Sequence, residues 1–123
     1  MARTVLLVED TDIGRDALEL ALAIVPNVIL QIVKSAEEAL ALFGENTCAL
    51  VTDLNLPRMD GFELIEAVRS DPGRRQIPIM VISGNSDPDT PSRLVALGAN
   101  AYFPKPFSPA EVRSRLEQLI HAS

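Results

Sequence analysis

The sequence has no tryptophan, one tyrosine, one histidine and one cysteine among its 123 residues. A single thiol, Cys48, excludes an internal disulfide and a metal site built from cysteines. Lys and Arg number 11 against 17 Asp and Glu, for a net charge of −6, so the clustered positive charge of a direct nucleic-acid binder is missing. The apolar runs are too short for a membrane span, and no secretory leader precedes the first strand-like run. We therefore expect a cytoplasmic protein with no direct contact to nucleic acid or membranes.

The chain has the length of one domain, because 123 residues can bury a core of their own. Apolar residues make up 47% and charged residues 23%, as is usual for folded domains. No repeat, linker or low-complexity tract divides the sequence. We predict a single domain over residues 1–123.

Five strand-like runs alternate with five helical ones, which indicates an α/β fold with a parallel sheet covered by helices on both faces. Pro104 cannot donate a ladder hydrogen bond, so the fifth strand is expected at a sheet edge. Thr11, Ser35 and Asp60 are predicted helix caps, and Thr90-Pro91 is the predicted cap of the fourth helix. The predicted strands are residues 4–8, 28–33, 49–53, 77–83 and 101–104, and the predicted helices are residues 11–25, 35–44, 60–70, 90–98 and 108–120.

Polar side chains close four of the five strand-like runs. Glu9-Asp10 follow the first, Asp53 closes the third, Ser83 the fourth, and Lys105 follows the fifth. In an open parallel sheet, the carboxyl ends of the strands line the ligand crevice. We expect these side chains to gather at that edge, although taken singly the acids are ordinary solvated loop residues and the lysine an ordinary surface charge.

Carboxylates crowded at one edge repel each other and raise one another's pKa unless a cation joins them. Oxygen ligands without imidazole or thiolate favour Mg²⁺, or Mn²⁺, over zinc. A carboxylate such as Asp53 is also able to attack phosphorus and form an acyl phosphate. Ser83 could donate to a phosphoryl oxygen, and Lys105 supplies a mobile positive charge for the same group.

At these residues the sequence closely resembles the CheY-like receiver domain of two-component response regulators. The resemblance covers nearly the whole chain and rests on motifs that agree in order and spacing. It implies a flavodoxin-like, doubly wound sheet of five parallel strands in the order 2-1-3-4-5, with five helices. The matching motifs are Glu9-Asp10, Asp53-Leu54-Asn55-Leu56-Pro57, Asp60-Gly61, Ser83-Gly84, and Tyr102 ahead of Lys105-Pro106-Phe107.

The resemblance implies that Asp53 accepts a phosphoryl group from the phosphohistidine of a sensor histidine kinase or histidine phosphotransfer protein. Mg²⁺ would be held by the carboxylates of Asp10 and Asp53 and the main-chain carbonyl of Asn55, with Glu9 acting largely through coordinated water. In the family the Lys105-Pro106 peptide is cis, which the sequence permits. The domain would catalyse only its own phosphorylation and dephosphorylation.

The resemblance also implies a switch. Ser83 would move toward the phosphoryl group and Tyr102 would rotate inward, which remodels the surface of the fourth helix, fifth strand and fifth helix for a downstream protein target or output domain. A phosphorylation-dependent homodimer is a further possibility. Asn55 and Asn85 occupy the positions that tune attack by water on the acyl phosphate.

Two other functions stay open at this point. A phosphohydrolase with an aspartyl-phosphate intermediate could use Asp53 and Lys105, although the haloacid-dehalogenase type has a second Asp where this chain has Asn55. A docking domain that keeps the fold without the chemistry is the other alternative. The sequence is also compatible with a free-standing regulator or with part of a larger regulator or hybrid kinase.

Overall fold

A computed structural model describes residues 3–74 and 76–122, apart from the side chain of Ala122. Five parallel strands pair in the order β2-β1-β3-β4-β5, which confirms the predicted fold and the edge position of the fifth strand. The elements are β1 (Arg3–Val8), α1 (Asp12–Leu22), β2 (Val28–Val33), α2 (Ala36–Leu42), β3 (Thr47–Thr52), α3 (Gly61–Ser70), β4 (Ile79–Ser83), α4 (Thr90–Leu97), β5 (Ala101–Pro104) and α5 (Pro109–Ala122).

The three central strands are buried on both faces, as expected when helices cover a parallel sheet on each side. Alternate residues of β1 enter opposite cores: Leu6 packs under α2, α3 and α4, whereas Leu7 packs under α1 and α5. The same alternation runs through β3 and β4, so each strand joins two apolar layers. Within the described residues, none of the helices has the length and apolar character needed to cross a bilayer.

Three of the predicted caps are confirmed. The side chains of Thr11, Ser35 and Asp60 accept hydrogen bonds from the main chain of α1, α2 and α3, and Asp60 forms a full capping box with Glu63. The prediction of Thr90-Pro91 as the cap of α4 was wrong. Asp89 stands at the N-cap without a side-chain cap bond, and Thr90 is the first helical residue.

Several boundaries differ from the prediction for local reasons. The helix α1 ends at Leu22 rather than near residue 25, because Pro26 disfavours helical backbone before it and Asn27 takes a positive φ of 62°. The strand β4 begins at Ile79 rather than residue 77, because the Ile77 amide closes a turn onto Arg74. The strand β3 runs two residues earlier at its start and ends one residue before Asp53.

Arg69, near the end of α3, ties the amino-terminal end of the sheet to the end of α4. Its guanidinium donates to the carbonyl oxygens of Gly98, at 2.7 and 3.1 Å, and of Ile77, at 2.7 Å. It also donates to Oδ1 of Asn100, at 3.0 Å. Gly98 ends α4 in a left-handed conformation with φ of 94°, which glycine adopts without steric cost.

Candidate active site at the carboxyl edge of the sheet

The sheet register brings the polar strand ends together. Val8 pairs with Thr52, so Glu9 and Asp53 leave neighbouring strands side by side. Ser83 pairs with Pro104, which sets Lys105 just beyond the end of the fourth strand. The ladder continues into the site, since the Asp53 amide donates to the Val8 carbonyl at 3.1 Å and the Lys105 amide to the Ser83 carbonyl at 3.0 Å.

Lys105 lies between two buried carboxylates. Its Nζ atom donates to Oε2 of Glu9 and to Oδ2 of Asp53, each at 2.8 Å. The two carboxylate oxygens are therefore no more than twice 2.8 Å apart. Glu9 is 0% and Asp53 6% exposed. The Lys105-Pro106 peptide is cis, as the family resemblance led us to expect.

The Asp53 carboxylate is fixed on both of its oxygens. Opposite the lysine, Oδ1 accepts from the main-chain N–H of Leu54 at 2.6 Å and of Asn55 at 3.2 Å. The hydroxyl of Thr52 donates to the Asp53 carbonyl at 2.7 Å. A carboxylate held this way has a defined orientation and would need little reorganisation to react.

Charge compensation rather than repulsion governs the pKa of Asp53. Burial raises it, but hydrogen bonding and charge from Lys105, with further hydrogen bonds from the Asn55 amide and Ser83, outweigh burial and lower the pKa overall. Burial lowers the pKa of Lys105, yet Asp53 and Glu9 raise it overall. The Lys105 ammonium therefore compensates the charges of both Glu9 and Asp53.

Glu9 is held in place by the start of α1. Its Oε1 accepts from the amide and the hydroxyl of Thr11, at 3.2 and 3.0 Å. A Cβ on Gly14 would lie 2.7 Å from the Glu9 carboxyl carbon, so the helix approaches this carboxylate closely. Both Glu9 oxygens accept hydrogen bonds from the chain, and its action on a metal through coordinated water stays a prediction.

Asp10 and Asn55 lie exposed at the rim of the site. Among the described residues, no group of three or more His, Cys, Asp and Glu side chains is arranged to hold a metal ion. Mg²⁺ needs fewer protein ligands, since it usually keeps several waters and binds one or two carboxylates together with substrate phosphate. The oxygen donors Asp10, Asp53 and the Asn55 carbonyl fit that chemistry.

Ser83 is fully buried at the end of β4, and its Oγ accepts from the Asn85 amide at 3.2 Å. Tyr102 of β5 is half-buried and donates its hydroxyl to the Asn85 carbonyl at 3.1 Å. The Asn85 side chain is directed to the α4 side of its loop, where Oδ1 accepts from the Asp87 amide and the Thr90 hydroxyl.

Sequence reasoning missed the residues that hold the site from behind. Thr11 was recognised as a helix cap but not as a donor to Glu9. Gly61 was recognised only as part of a motif, yet a Cβ there would collide with the Asp53 carbonyl and lie 2.7 Å from Leu54 Cα. Thr90 was assigned to the wrong role. The only signal for Gly14 in the sequence was its position inside a helical pattern. A glycine there lowers helix stability and usually has a packing reason.

An open apolar groove of about 550 Å³ lies beside the site, between α1 and α5. Its lining includes Ile13, Ala17, Leu20, Phe107 and the stem of Lys105. The side chains of Ile13 and Leu20 are 86% and 78% exposed.

Known proteins share both the sequence pattern and the fold. The family described as response regulator receiver domain matches residues 5–117. The transcriptional regulatory protein GltR of Pseudomonas aeruginosa is 32% identical over 118 residues, which is 96% of this chain and 49% of GltR. The matched region covers 10% of the length of one further curated relative and 60% of the length of another.

Two solved structures have the same fold. The chemotaxis response regulator CheY4 of Vibrio cholerae has a TM-score of 0.83 at 26% identity, covering 97% of this chain and 99% of that one. The receiver domain of the sensor histidine kinase PA1611 from Pseudomonas aeruginosa, with a magnesium ion in its active site cleft, has a TM-score of 0.85 at 24% identity over 98% and 99% of the two chains. The second likeness bears on the fold alone.

Proposed function

The chain belongs to the response regulator receiver domain family of two-component signalling, and on that premise we propose that Asp53 is its phosphoacceptor. Receiver domains are signalling domains rather than classical enzymes, so the expected output is a change of protein contacts. The observation that carries the assignment is the clamped Asp53 carboxylate, with Lys105 Nζ 2.8 Å from Oδ2 and two amides on Oδ1.

In the proposed reaction a carboxylate oxygen of Asp53 attacks the phosphorus of a phosphohistidine. The phosphorus–nitrogen bond breaks, and the imidazole, which carries a proton from solvent on its other ring nitrogen, leaves as the neutral ring. Lys105 and the Ser83 hydroxyl are the groups available to hold the phosphoryl oxygens, which is the positioning and charge neutralisation that phosphoryl transfer requires.

Asp10, Asp53 and the Asn55 carbonyl would hold Mg²⁺, or Mn²⁺, with Glu9 reaching it through water. When bound, the ion would neutralise charge between the carboxylates and the incoming phosphoryl group. The oxygen-only donor set at this edge supports this part of the proposal. The proposed partners are a sensor histidine kinase or phosphotransfer protein and a downstream target or output domain, in the cytoplasm, with the surface of α4, β5 and α5 as the output face.

Labelling tests the phosphoacceptor. Incubation with Mg²⁺ and acetyl phosphate should give a hydroxylamine-labile phosphoryl group on the wild type and none on Asp53→Asn. Asp60→Asn is the matched control, because it removes an acid near the site while asparagine remains a good helix cap. Equal labelling of Asp53→Asn and the wild type would refute the assignment.

Metal binding has a readout that does not depend on phosphorylation. A ligand that binds only the folded state stabilises it by about 2.7 kcal/mol at a hundredfold excess over its dissociation constant. Mg²⁺ should therefore raise the unfolding temperature of the wild type in a saturable way, and Asp10→Asn should abolish most of that rise. An unchanged metal response in Asp10→Asn would remove Asp10 from the ligand set.

A further inference from the structure

Asn85 forms hydrogen bonds to residues of β4, β5 and α4. Its amide donates to Ser83 Oγ at 3.2 Å, and its carbonyl accepts from the Tyr102 hydroxyl at 3.1 Å. Its side-chain Oδ1 accepts from the Asp87 amide at 2.9 Å and from Thr90 Oγ1 at 3.2 Å. The main chain of Asn85 therefore contacts Ser83 and Tyr102, while its side-chain oxygen faces the helix.

Thr90 supplies the one link in this set that comes from inside α4. It is only 3% exposed, although its neighbours Asp89 and Pro91 are exposed. A buried hydroxyl is costly without a hydrogen-bond partner, and the bond to Asn85 Oδ1 meets that requirement. The Thr90 hydroxyl thus anchors Asn85, and with it the loop of residues 84–89, to the first turn of the helix.

We propose that Thr90 is a positioning residue for phosphoryl transfer, acting through Asn85 on the Ser83 hydroxyl and on Tyr102. The inference rests on the proposed phosphorylation of Asp53. In this proposal Asn85 acts by holding the loop and not by contacting the attacking water, because its Oδ1 already accepts two hydrogen bonds on the α4 side of the loop. Both the gain and the loss of the phosphoryl group then depend on the bond between Thr90 and Asn85.

Thr90→Val tests the link, because valine keeps the shape and removes only the hydroxyl, and Thr90→Ser is the matched control that restores it. One net hydrogen bond changes an equilibrium by about two- to tenfold. We expect Thr90→Val to slow labelling by acetyl phosphate, and loss of the phosphoryl group after donor removal, by about two- to tenfold. Thr90→Ser should stay within about twofold of the wild type. The effects of Thr90→Val and Asn85→Ala should not add in the double variant, as expected for coupled residues.

Amide hydrogen exchange gives a second readout that needs no phosphorylation. The Asn85 and Asp87 amides should exchange about two- to tenfold faster in Thr90→Val, because opening of the loop exposes them. The Asn100 amide, bonded to Ile79 on another part of the sheet, should be unchanged.

The outcomes separate this inference from the proposed function. Absence of any label on wild-type Asp53 would refute the proposed function, whereas unchanged exchange at Asn85 and Asp87 in Thr90→Val would overturn the link between loop and helix. Labelling and loss rates within twofold of the wild type in Thr90→Val would overturn the positioning role. Equal slowing by Thr90→Ser would also overturn it, because the hydroxyl would then not be the cause.

Discussion

Lys105 should contribute to folding as well as to chemistry, and Lys105→Met isolates that contribution. Methionine retains the unbranched apolar stem and removes the ammonium. The Glu9 and Asp53 oxygens that the ammonium contacts at 2.8 Å would then face each other without a cation. Glu9 is fully buried and Asp53 nearly so, so water offers limited compensation.

The magnitude follows from burial. Removing one partner of a buried ion pair typically costs about 3–5 kcal/mol, because the other charge is left unpaired. The Lys105 side chain is 28% exposed, so solvent screens part of the interaction. We expect a loss of about 2–3 kcal/mol in the free energy of unfolding at pH 7 without divalent cations. For a domain of this size that corresponds to a drop of roughly 6–12 °C in unfolding temperature.

The loss of stability in Lys105→Met should depend on pH. Lys105 holds the pKa of Asp53 below its ordinary value, so the ionised carboxylate stabilises the wild type above about pH 4, and this stability is lost as the pH falls through the lowered pKa. In Lys105→Met burial remains without the ammonium and raises the Asp53 pKa, which destabilises the fold at neutral pH. The difference between the two proteins should therefore narrow between pH 7 and about pH 4.5.

Urea denaturation at both pH values measures this difference. Lys34→Met is the matched control, because it removes the same charge from an exposed lysine and should change stability by less than about 0.5 kcal/mol. The reasoning is refuted if Lys105→Met is as stable as Lys34→Met at pH 7. A deficit that stays constant from pH 7 to pH 4.5 would show that lost packing, rather than unpaired charge, is responsible.

Two further substitutions test the supports of the site. Gly61→Ala should destabilise the fold by about 1–3 kcal/mol and slow labelling of Asp53, because a Cβ would collide with the Asp53 carbonyl. Gly44→Ala is the control and should be nearly neutral, because the nearest atom to its Cβ would be 4.0 Å away. Equal stability of the two variants in urea would contradict the close approach of Gly61 to Asp53. Arg69→Met should cost about 1.5–3 kcal/mol in the same assay, because the guanidinium donates to Gly98, Ile77 and Asn100 among its partners. Arg58→Met is the control and should cost less than about 1 kcal/mol, because the Arg58 side chain in its ion pair with Glu37 is 70% exposed. A similar loss of stability in Arg69→Met and Arg58→Met would argue against the structural role of Arg69.

The sequence alone determined the fold and the place of the candidate site. Regular alternation of strand and helix patterns dictates a parallel sheet, and a parallel sheet necessarily puts Asp53, Ser83 and Lys105 at one edge, because all strands end on the same side. Helix caps were equally readable where a side chain bonds its own helix, as at Thr11 and Asp60.

Only the tertiary structure decided which atoms bond at that edge. The sequence indicated that the acids would require a cation, but it did not show that the Lys105 side chain reaches from the end of β5 to both Glu9 and Asp53. The role of Thr90 was hidden for the same reason, since a hydroxyl can cap its own helix or bond a neighbouring loop at similar energy. Local patterns specify which groups are present, whereas contacts between residues far apart in the chain select their partners.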